Sequence, residues 1–433
     1  MSSPASNATV SSAADAATDP AATDPAAAAT DPVAAPERSY RALLDVEGLG
    51  RVILGMQLAR ISQSMMVVVL VLFSLDAYHS PGIAGAVALA AGLPGALASP
   101  VAGALLDRHR RIRLVALDYF VAAAALGLIV MLAFAGALPA FLLIAIAAAA
   151  SLTGPLSLAG LRGLLPLMTP RHLWERANAL DSMGYMIATL IGPPIGAVLV
   201  QLFGGQVALV AVAFGFLGAV LVIGPVGEPA LEPQAGGSLL RSARDGLTYT
   251  LRNPTLRALA CSISFANITW GMTAVAIPLI VLDRLGQSAS VVGIVFSVQA
   301  LGGIVGAFVA GRWHTRGKER LMLIGPMIGT GLVLLLLIPD GGIALVVVSM
   351  VLIGLLNGPL DIAMFTVRQR RTAPEWMGRA FAVSMGLNGL GIPLGSGITG
   401  WLSEYSVDAA IIVAAACSFA AAVATFILMP REE

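Results

Sequence analysis

Twelve apolar runs separated by short polar gaps constrain this chain more than any other feature. They fall at about residues 52–74, 82–106, 114–135, 138–165, 179–203, 206–227, 256–282, 290–311, 320–338, 342–367, 379–403 and 408–429. Roughly 20 apolar residues cross a bilayer as a helix. In lipid every backbone N–H and C=O must be satisfied within the segment, which favours helices over open strands. Of the 433 residues, 58% are hydrophobic and 11% charged, against about 25% charged in soluble domains. The expectation is an all-α membrane protein with twelve transmembrane helices, its lipid bilayer the obligatory surround.

Every second gap is basic. One set holds Arg108, Arg110, Arg111 and Arg113, then Arg171 and Arg176, then Arg241, Arg244 and Arg252, then Arg312, Arg316 and Lys318, then Arg368, Arg370 and Arg371. The opposite set holds Arg284. Cytoplasmic loops carry the Lys and Arg excess, and an even number of crossings returns the chain to its starting side. This predicts a multi-pass protein of the bacterial inner membrane with both termini in the cytoplasm.

Residues 1–36 lack Lys and Arg and repeat Thr-Asp-Pro at 18–20, 23–25 and 30–32 in an Ala-rich background. Such a stretch cannot bury a core and reads as a disordered tail. It has no basic segment leading into an apolar one, so it does not read as a signal peptide; the first span serves as the insertion signal. A first bundle of six spans is expected over 37–227, a cytoplasmic linker with Pro229, Pro233, Gly236 and Gly237 over 228–253, and a second six-span bundle over 254–430.

The two bundles repeat each other. Ser99 and Gly103 match Gly302 and Gly306; Gly154-Pro155-Leu156 matches Gly358-Pro359-Leu360; Gly192-Pro193-Pro194-Ile195-Gly196 matches Gly391-Ile392-Pro393-Leu394-Gly395. An internal repeat of six spans predicts two pseudo-symmetric six-helix bundles with a substrate site between them near the midplane.

The gap after span 2 carries Gly103-x-x-x-Asp107-Arg108, then Arg110 and Arg111, preceded by small residues at Gly95 and Ser99. Four-residue spacing of small side chains lets a neighbouring helix approach closely. This pattern resembles the loop between helices 2 and 3 of major facilitator superfamily transporters. Leu93-Pro94-Gly95 through Asp118, the loop from Pro166 to Asn178, and Arg368-Gln369-Arg370 with Gly378-Arg379 are similar to the macrolide-efflux and siderophore-exporter branch. Gly192-Pro193-x-x-Gly196-Ala197 resembles the antiporter motif of helix 5, with Ala197 in place of its last Gly. The resemblance implies export, with Gly103, Asp107, Arg108, Arg111, Gly192, Pro193 and Gly196 as conformational elements, Asp107 sitting near the amino end of helix 11 at Gly378 and Arg379. Two departures stand out. Leu142–Ala150 is wholly apolar where well-known drug–proton antiporters carry an Arg, and Ala310 replaces the Asp of the second loop copy. Proton coupling is therefore not carried over by the resemblance.

Charged and polar side chains inside apolar runs are the candidate site. Arg60 lies about nine residues into span 1, and Gln57, Arg60 and Ser64 share a helix face. An intramembrane charge is a functional candidate by default; the alternative is a structural pair with an acid on a neighbouring helix. Asn267, Trp270, Gln299, Asn357 and Asn388, in spans 7, 8, 10 and 11, are expected to line the substrate cavity or to hold helices together. Asp118 and Arg162 lie at similar depth on spans 3 and 4 and are expected to pair, forming a charge cluster with Asp107 and Arg111. Asp181 and Asp361 are further candidates for that cluster or for coupling, Asp361 sharing a face with Arg368. Asp76, Asp340, Glu404 and Asp408 border the arginine-poor loops and read as solvated.

Other function classes fall away. Gly311 to Glu319 has five residues between its glycines and no Ser or Thr after Lys318, so it is not a phosphate loop. Gly389-x-Gly391 lies inside an apolar run without a preceding strand. Cys261 and Cys417 both lie in apolar runs, and the four His are scattered, so neither a metal site nor a cofactor is expected. A net charge of +1 gives no reason to expect nucleic acid as a partner. No nucleophile–base arrangement suggests an enzyme. The expectation is a monomeric secondary transporter exporting an amphipathic small molecule such as a drug, antibiotic or siderophore, with protons as a candidate coupling partner. The alternatives are a small-metabolite importer of the same fold and a transport-inactive membrane sensor or partner protein.

Overall fold

Prolines open many of the helices. Pro81, Pro94, Pro155 and Pro254 occupy first-turn positions, where the missing N–H would have had no partner anyway. Ser80, Asn253 and Ser406 cap their helices by accepting from Ile83, Thr255 and Leu256, and Ala409 N–H groups. The computed structural model describes residues 40–227, 239–312, 317–373 and 376–430, and among them the regular structure is helical. The tail over 1–36 and the first part of the linker lie outside the described residues.

The helices map onto the twelve expected spans. A short α1 (Tyr40–Leu44) precedes α2 (Leu49–Tyr78), which is span 1. Span 2 is α3 (Pro81–Ala90) with α4 (Leu93–Arg108), span 3 is α5 (Arg111–Phe134), and span 4 is α6 (Ala140–Ser151) with α7 (Gly154–Met168). Spans 5 and 6 are α8 (Trp174–Phe203) and α9 (Gly205–Ile223). The linker contributes α10 (Leu239–Arg252). Span 7 is α11 (Pro254–Leu279), prolonged by a π-helical turn over Ile280–Arg284. Spans 8, 9 and 10 are α12 (Ala289–Ala310), α13 (Glu319–Leu335) and α14 (Gly342–Arg370). Span 11 is α15 (Met377–Gly389) with α16 (Gly391–Ser403), and span 12 is α17 (Val407–Leu428). Ten of these segments are each long and apolar enough to cross a membrane. The other two are span 9, which has 17 residues, and span 11, which breaks at Leu390.

Lipid tails are as apolar as leucine, so helices in a bilayer associate through close packing and small residues rather than through the hydrophobic effect. Each set of six spans makes its own core. The first brings together Val69, Phe73, Tyr119, Leu143, Leu209 and Phe216. The second has two clusters, one around Met272, Val295, Met350 and Ile411 and one around Leu259, Leu323, Met364 and Ala421. Within the first set α2 packs on α8 and α9, and α5 on α7 and α9; within the second α11 packs on α16 and α17, and α12 on α14. The α12–α14 contact is backbone on backbone: a Cβ on Gly302 would stand 2.6 Å from the Val351 carbonyl oxygen.

Alternation of the crossings gathers the Arg-bearing gaps at one end of the bundle, the arginine-rich end. The opposite end holds Arg284, which donates to the Leu337 carbonyl at 3.0 Å and pairs with Asp408, tying spans 7, 9 and 12 together. At the arginine-rich end Arg370 pairs with Glu319 at 2.7 Å, tying span 10 to span 9. Arg368 is not in the loop where the sequence placed it. α14 runs on to Arg370 and Arg368 is fully buried inside it.

Candidate functional site

The charge inside span 1 finds its partner on span 5. Arg60 Nη2 lies 2.5 Å from Asp181 Oδ1 and Nη1 donates to the Asp181 carbonyl at 2.7 Å, so side chain and backbone of one residue hold both ends of the guanidinium fork. Gln57, one turn earlier, donates to the Gly184 carbonyl at 3.0 Å. The Tyr185 ring centroid lies 6.0 Å from the guanidinium carbon, at the outer limit of a cation–π contact. The side chains of Arg60 and Asp181 keep 17% and 23% of their exposure, so the pair is partly exposed rather than sealed in a core.

Further along the same two helices the Gly192–Gly196 run does two jobs. Gly192 faces Ser64 and the Met65 backbone, and Gly196 faces Val69 and Met65, so the glycine face presses span 5 against span 1. The proline face turns outward to the other half. A Cβ on Gly293 of α12 would stand 2.6 Å from Pro194 Cα and 3.0 Å from the Pro193 carbonyl oxygen. Ser297 donates to the Leu190 carbonyl at 2.9 Å, and Ser290 N–H donates to Gln201 Oε1 at 3.0 Å.

This α8–α12 contact is half of the seam between the two sets of six; α3 against α16 is the other half. There Gly85 and Gly400 meet at their backbones, Gly92 meets Pro393, and Gly397 meets Leu89. Val68, Leu72 and Ala197 of the first half join the Met272 cluster of the second. All of these residues lie in the arginine-poor halves of their helices. Towards the arginine-rich end α4 touches α15 and α10, and a Cβ on Gly386 would come no nearer than 4.0 Å to Ser99 Oγ.

The second-half candidates divide into two groups. Gln299 and Asn388 are buried. Asn388 holds a chain of polar contacts: Asn267 Nδ2 donates to its carbonyl at 2.8 Å, and its side-chain amide, turned so that its neighbours are satisfied, accepts from Arg368 Nη2 at 2.9 Å. Arg368 also contacts Met385 Sδ at 2.6 Å. Spans 7, 10 and 11 are thereby tied together around an arginine that sequence reasoning had taken for a loop residue. Trp270 and Asn357 instead border a small space of about 40 Å³ with Thr269, Thr330, Leu360 and Ser418. It has room for a few waters and not for a drug. Asn357 donates to Asp361 at 2.9 Å, so the recorded partner of Asp361 is this Asn, one turn away, rather than Arg368.

Asp118 is buried and accepts from Thr153 at 2.6 Å, at the break between α6 and α7. The side chain of Arg162, its expected partner, lies outside the described residues, as do those of Asp107 and Arg379 and the surroundings of Gly378. Of the remaining loop-motif residues, Arg108 is exposed, Arg111 is half-buried, and a Cβ on Gly103 would meet nothing within 4 Å. Two residues read as solvated loop neighbours have specific partners. Glu404 Oε1 accepts from Ser80 Oγ at 2.5 Å and from Gly82 N–H at 2.7 Å, and Asp408 pairs with Arg284. The Ser80 hydroxyl and the Gly82 N–H hold the Glu404 carboxyl below the usual carboxylate range.

Two sets of six helices, joined along two helix pairs, carry a partly exposed ion pair within their apolar spans. The sequence pattern of the Major Facilitator Superfamily matches residues 52–268 and 259–433, once for each half. The chain is 35% identical over 394 residues to an uncharacterized MFS-type transporter of Sinorhizobium fredii, covering 90% of this chain and 97% of that protein. It is 21% identical to macrolide efflux protein A of Streptococcus pyogenes, over 79% of this chain and 85% of the relative. The fold matches the crystal structure of a mutant of nucleoside transporter NupG with a TM-score of 0.71 at 15% identity, covering 88% of this chain and 99% of that one. The chain belongs to the Major Facilitator Superfamily.

Proposed function

We propose that this transporter exports an amphipathic small molecule from the cytoplasm by alternating access, its two six-helix bundles, over about 37–227 and 254–430, rocking about a site between them. The observation that carries this reading is the difference along the seam: backbone on backbone at the arginine-poor end and, among the described residues, ordinary side-chain contact between α4 and α15 at the other. With arginine-rich loops assigned to the cytoplasm, this difference supports reading the state as inward-facing. Export rather than import is supported by the similarity to macrolide efflux protein A over most of both chains.

Arg60, with Asp181 as its counter-ion, is the polar anchor of the site on the first half, and Asn267 is its counterpart on the second; Trp270 and Asn357 reach the site only if the small space they border widens during the cycle. A substrate bearing an acceptor can draw the guanidinium fork from Asp181, and one bearing a cation can compete for the carboxylate. Asp118, Asp181 and Asp361 are the carboxylates placed to carry a coupling proton. Accumulation of a labelled macrolide and a panel of amphipathic antibiotics, measured in an efflux-deficient bacterium with and without the protein, tests the reading. Export predicts lowered accumulation that recovers when the proton gradient is collapsed. Raised accumulation would turn the direction around, and unchanged accumulation across the panel would remove this substrate class.

A further inference from the structure

The seam between spans 2 and 11 is bridged by a carboxylate that reads as solvated in the sequence. Glu404 is the residue just past the carboxyl end of α16, in the second half. Its Oε1 reaches across the seam to the amino end of α3 in the first half, where it accepts from both Ser80 Oγ and Gly82 N–H. Ser80 already caps α3 by accepting from Ile83 N–H at 3.2 Å, and its hydroxyl hydrogen is thereby left for Glu404. A carboxylate at a helix amino end is favoured by the helix dipole and by charge-assisted hydrogen bonds.

We propose that Glu404 is a positioning residue of the transport cycle: it latches the arginine-poor end of the seam shut, and releasing it opens the protein to the outside. The inference rests on the alternating-access reading above. Three features of the geometry support it. The two bonded groups belong to different halves, so the bonds exist only while the halves are docked at this end. The contact lies directly beyond the backbone meeting of Gly85 and Gly400, where a Cβ on Gly400 would stand 2.6 Å from Gly85 Cα and 2.8 Å from the Pro81 carbonyl oxygen. Separation of even one residue's width there must break the Glu404 bonds. Finally, Glu404 is exposed, so its carboxylate is rehydrated at once when the bonds break. That makes the latch weak and reversible, as a repeating cycle requires. The low carboxyl pKa that Ser80 and Gly82 impose accords with an ionised latch in the closed state.

The test is a thiol at Leu89, which packs against Gly397 inside the closed seam. In a background with Cys261 and Cys417 replaced by Ser, Leu89→Cys is labelled from outside intact cells with a membrane-impermeant maleimide. Labelling should be slow with Glu404 in place, about three- to tenfold faster with Glu404→Ala, and intermediate with Ser80→Ala, which leaves the Gly82 N–H. Asp340→Asn, at the same end but outside the seam, should leave the rate unchanged. An unchanged rate in Glu404→Ala at normal expression overturns the latch. Fast labelling in the background protein, equal to that of a thiol at exposed Ala77, overturns the closed seam itself and with it the inward-facing reading. Because labelling needs no substrate, a failure of the compound panel leaves this result standing on its own.

Discussion

The two ends of the seam between the halves are built differently. At the arginine-poor end span 2 meets span 11 glycine on glycine, and span 5 lays its two prolines on Gly293 of span 8. At the arginine-rich end the same helices are represented by α4 and α15, where a Cβ on Gly386 would meet the Ser99 side chain at an ordinary 4.0 Å rather than a backbone. Backbone contact of this kind has one arrangement that fits and leaves little tolerance for intermediate ones, because packed interfaces are bistable rather than continuously deformable. Softer contacts at the other end tolerate separation. The difference teaches where the molecule is committed in this state and where it is free to admit a solute.

The largest expected effect follows from blocking the tight end. Gly400→Leu places side-chain carbon against the Gly85 and Pro81 backbone, where nothing flexible can give way. The outer seam should then fail to close. Transport should fall to background, and Leu89→Cys should be labelled from outside as fast as an exposed thiol. Slow labelling together with normal transport would show that the glycine contact is not the gate.

Next in size is the ion pair that both ends of the cycle must accommodate. Arg60→Ala leaves Asp181 without its counter-ion; for a partly solvated site we expect a loss of about 1–3 kcal/mol, read as lowered thermal stability in detergent, together with loss of transport. Arg60→Lys keeps the charge but not the two-pronged contact to Asp181. It should retain stability and lose transport or change substrate range. A fully active Arg60→Lys would make the pair structural and remove Arg60 from the site.

A smaller effect is expected at the loose end. Family resemblance places Asp107 near the amino end of span 11, where a carboxylate is worth about 0.3–1 kcal/mol, enough to shift a balanced two-state equilibrium several-fold. Asp107→Asn should cut transport several-fold while sparing expression, and should slow external labelling of Leu89→Cys by favouring the inward-facing state. Wild-type values for both would contradict the role. The smallest effect is expected from removing residues 2–36: insertion, transport and labelling should be nearly unchanged, and a truncated protein that inserts but does not transport would give the tail a role.

The spans were legible in the sequence because a bilayer imposes length and apolarity on each segment separately. Their interruptions were not. Gly-Pro-Leu occurs in spans 4 and 10, yet span 4 breaks there into α6 and α7 while α14 runs through. Packing accounts for the difference: Gly354 of α14 lies on the Gln299 and Gly303 backbone and Gly358 on that of Gly306 and Ala307, so α12 holds span 10 continuous, whereas a Cβ on Gly154 would meet nothing within 4 Å. The site was legible in the same partial way. Arg60 stood out as a charge in an apolar run, but its partner lies 121 residues away, and polarity does not say which helix is adjacent. Arg368 looked like one more loop arginine because the sequence does not show how far α14 extends or that Asn388 waits for it. Glu404 looked like an ordinary solvated loop residue, because its contact with Ser80 exists only through docking of the two halves.

Alternation of the two ends is the central claim, and paired distance measurements test it most directly. Spin labels at Ala77 and Tyr405 report the arginine-poor end, and labels at Arg110 and Gln369 the arginine-rich end, each pair introduced as cysteines into protein with Cys261 and Cys417 replaced by Ser and reconstituted in lipid. When Glu404→Ala or a transported compound shifts the equilibrium, the first distance should lengthen and the second shorten together. Two distances that move in the same direction, or an arginine-poor end that opens while the other stays fixed, would contradict alternating access in this protein.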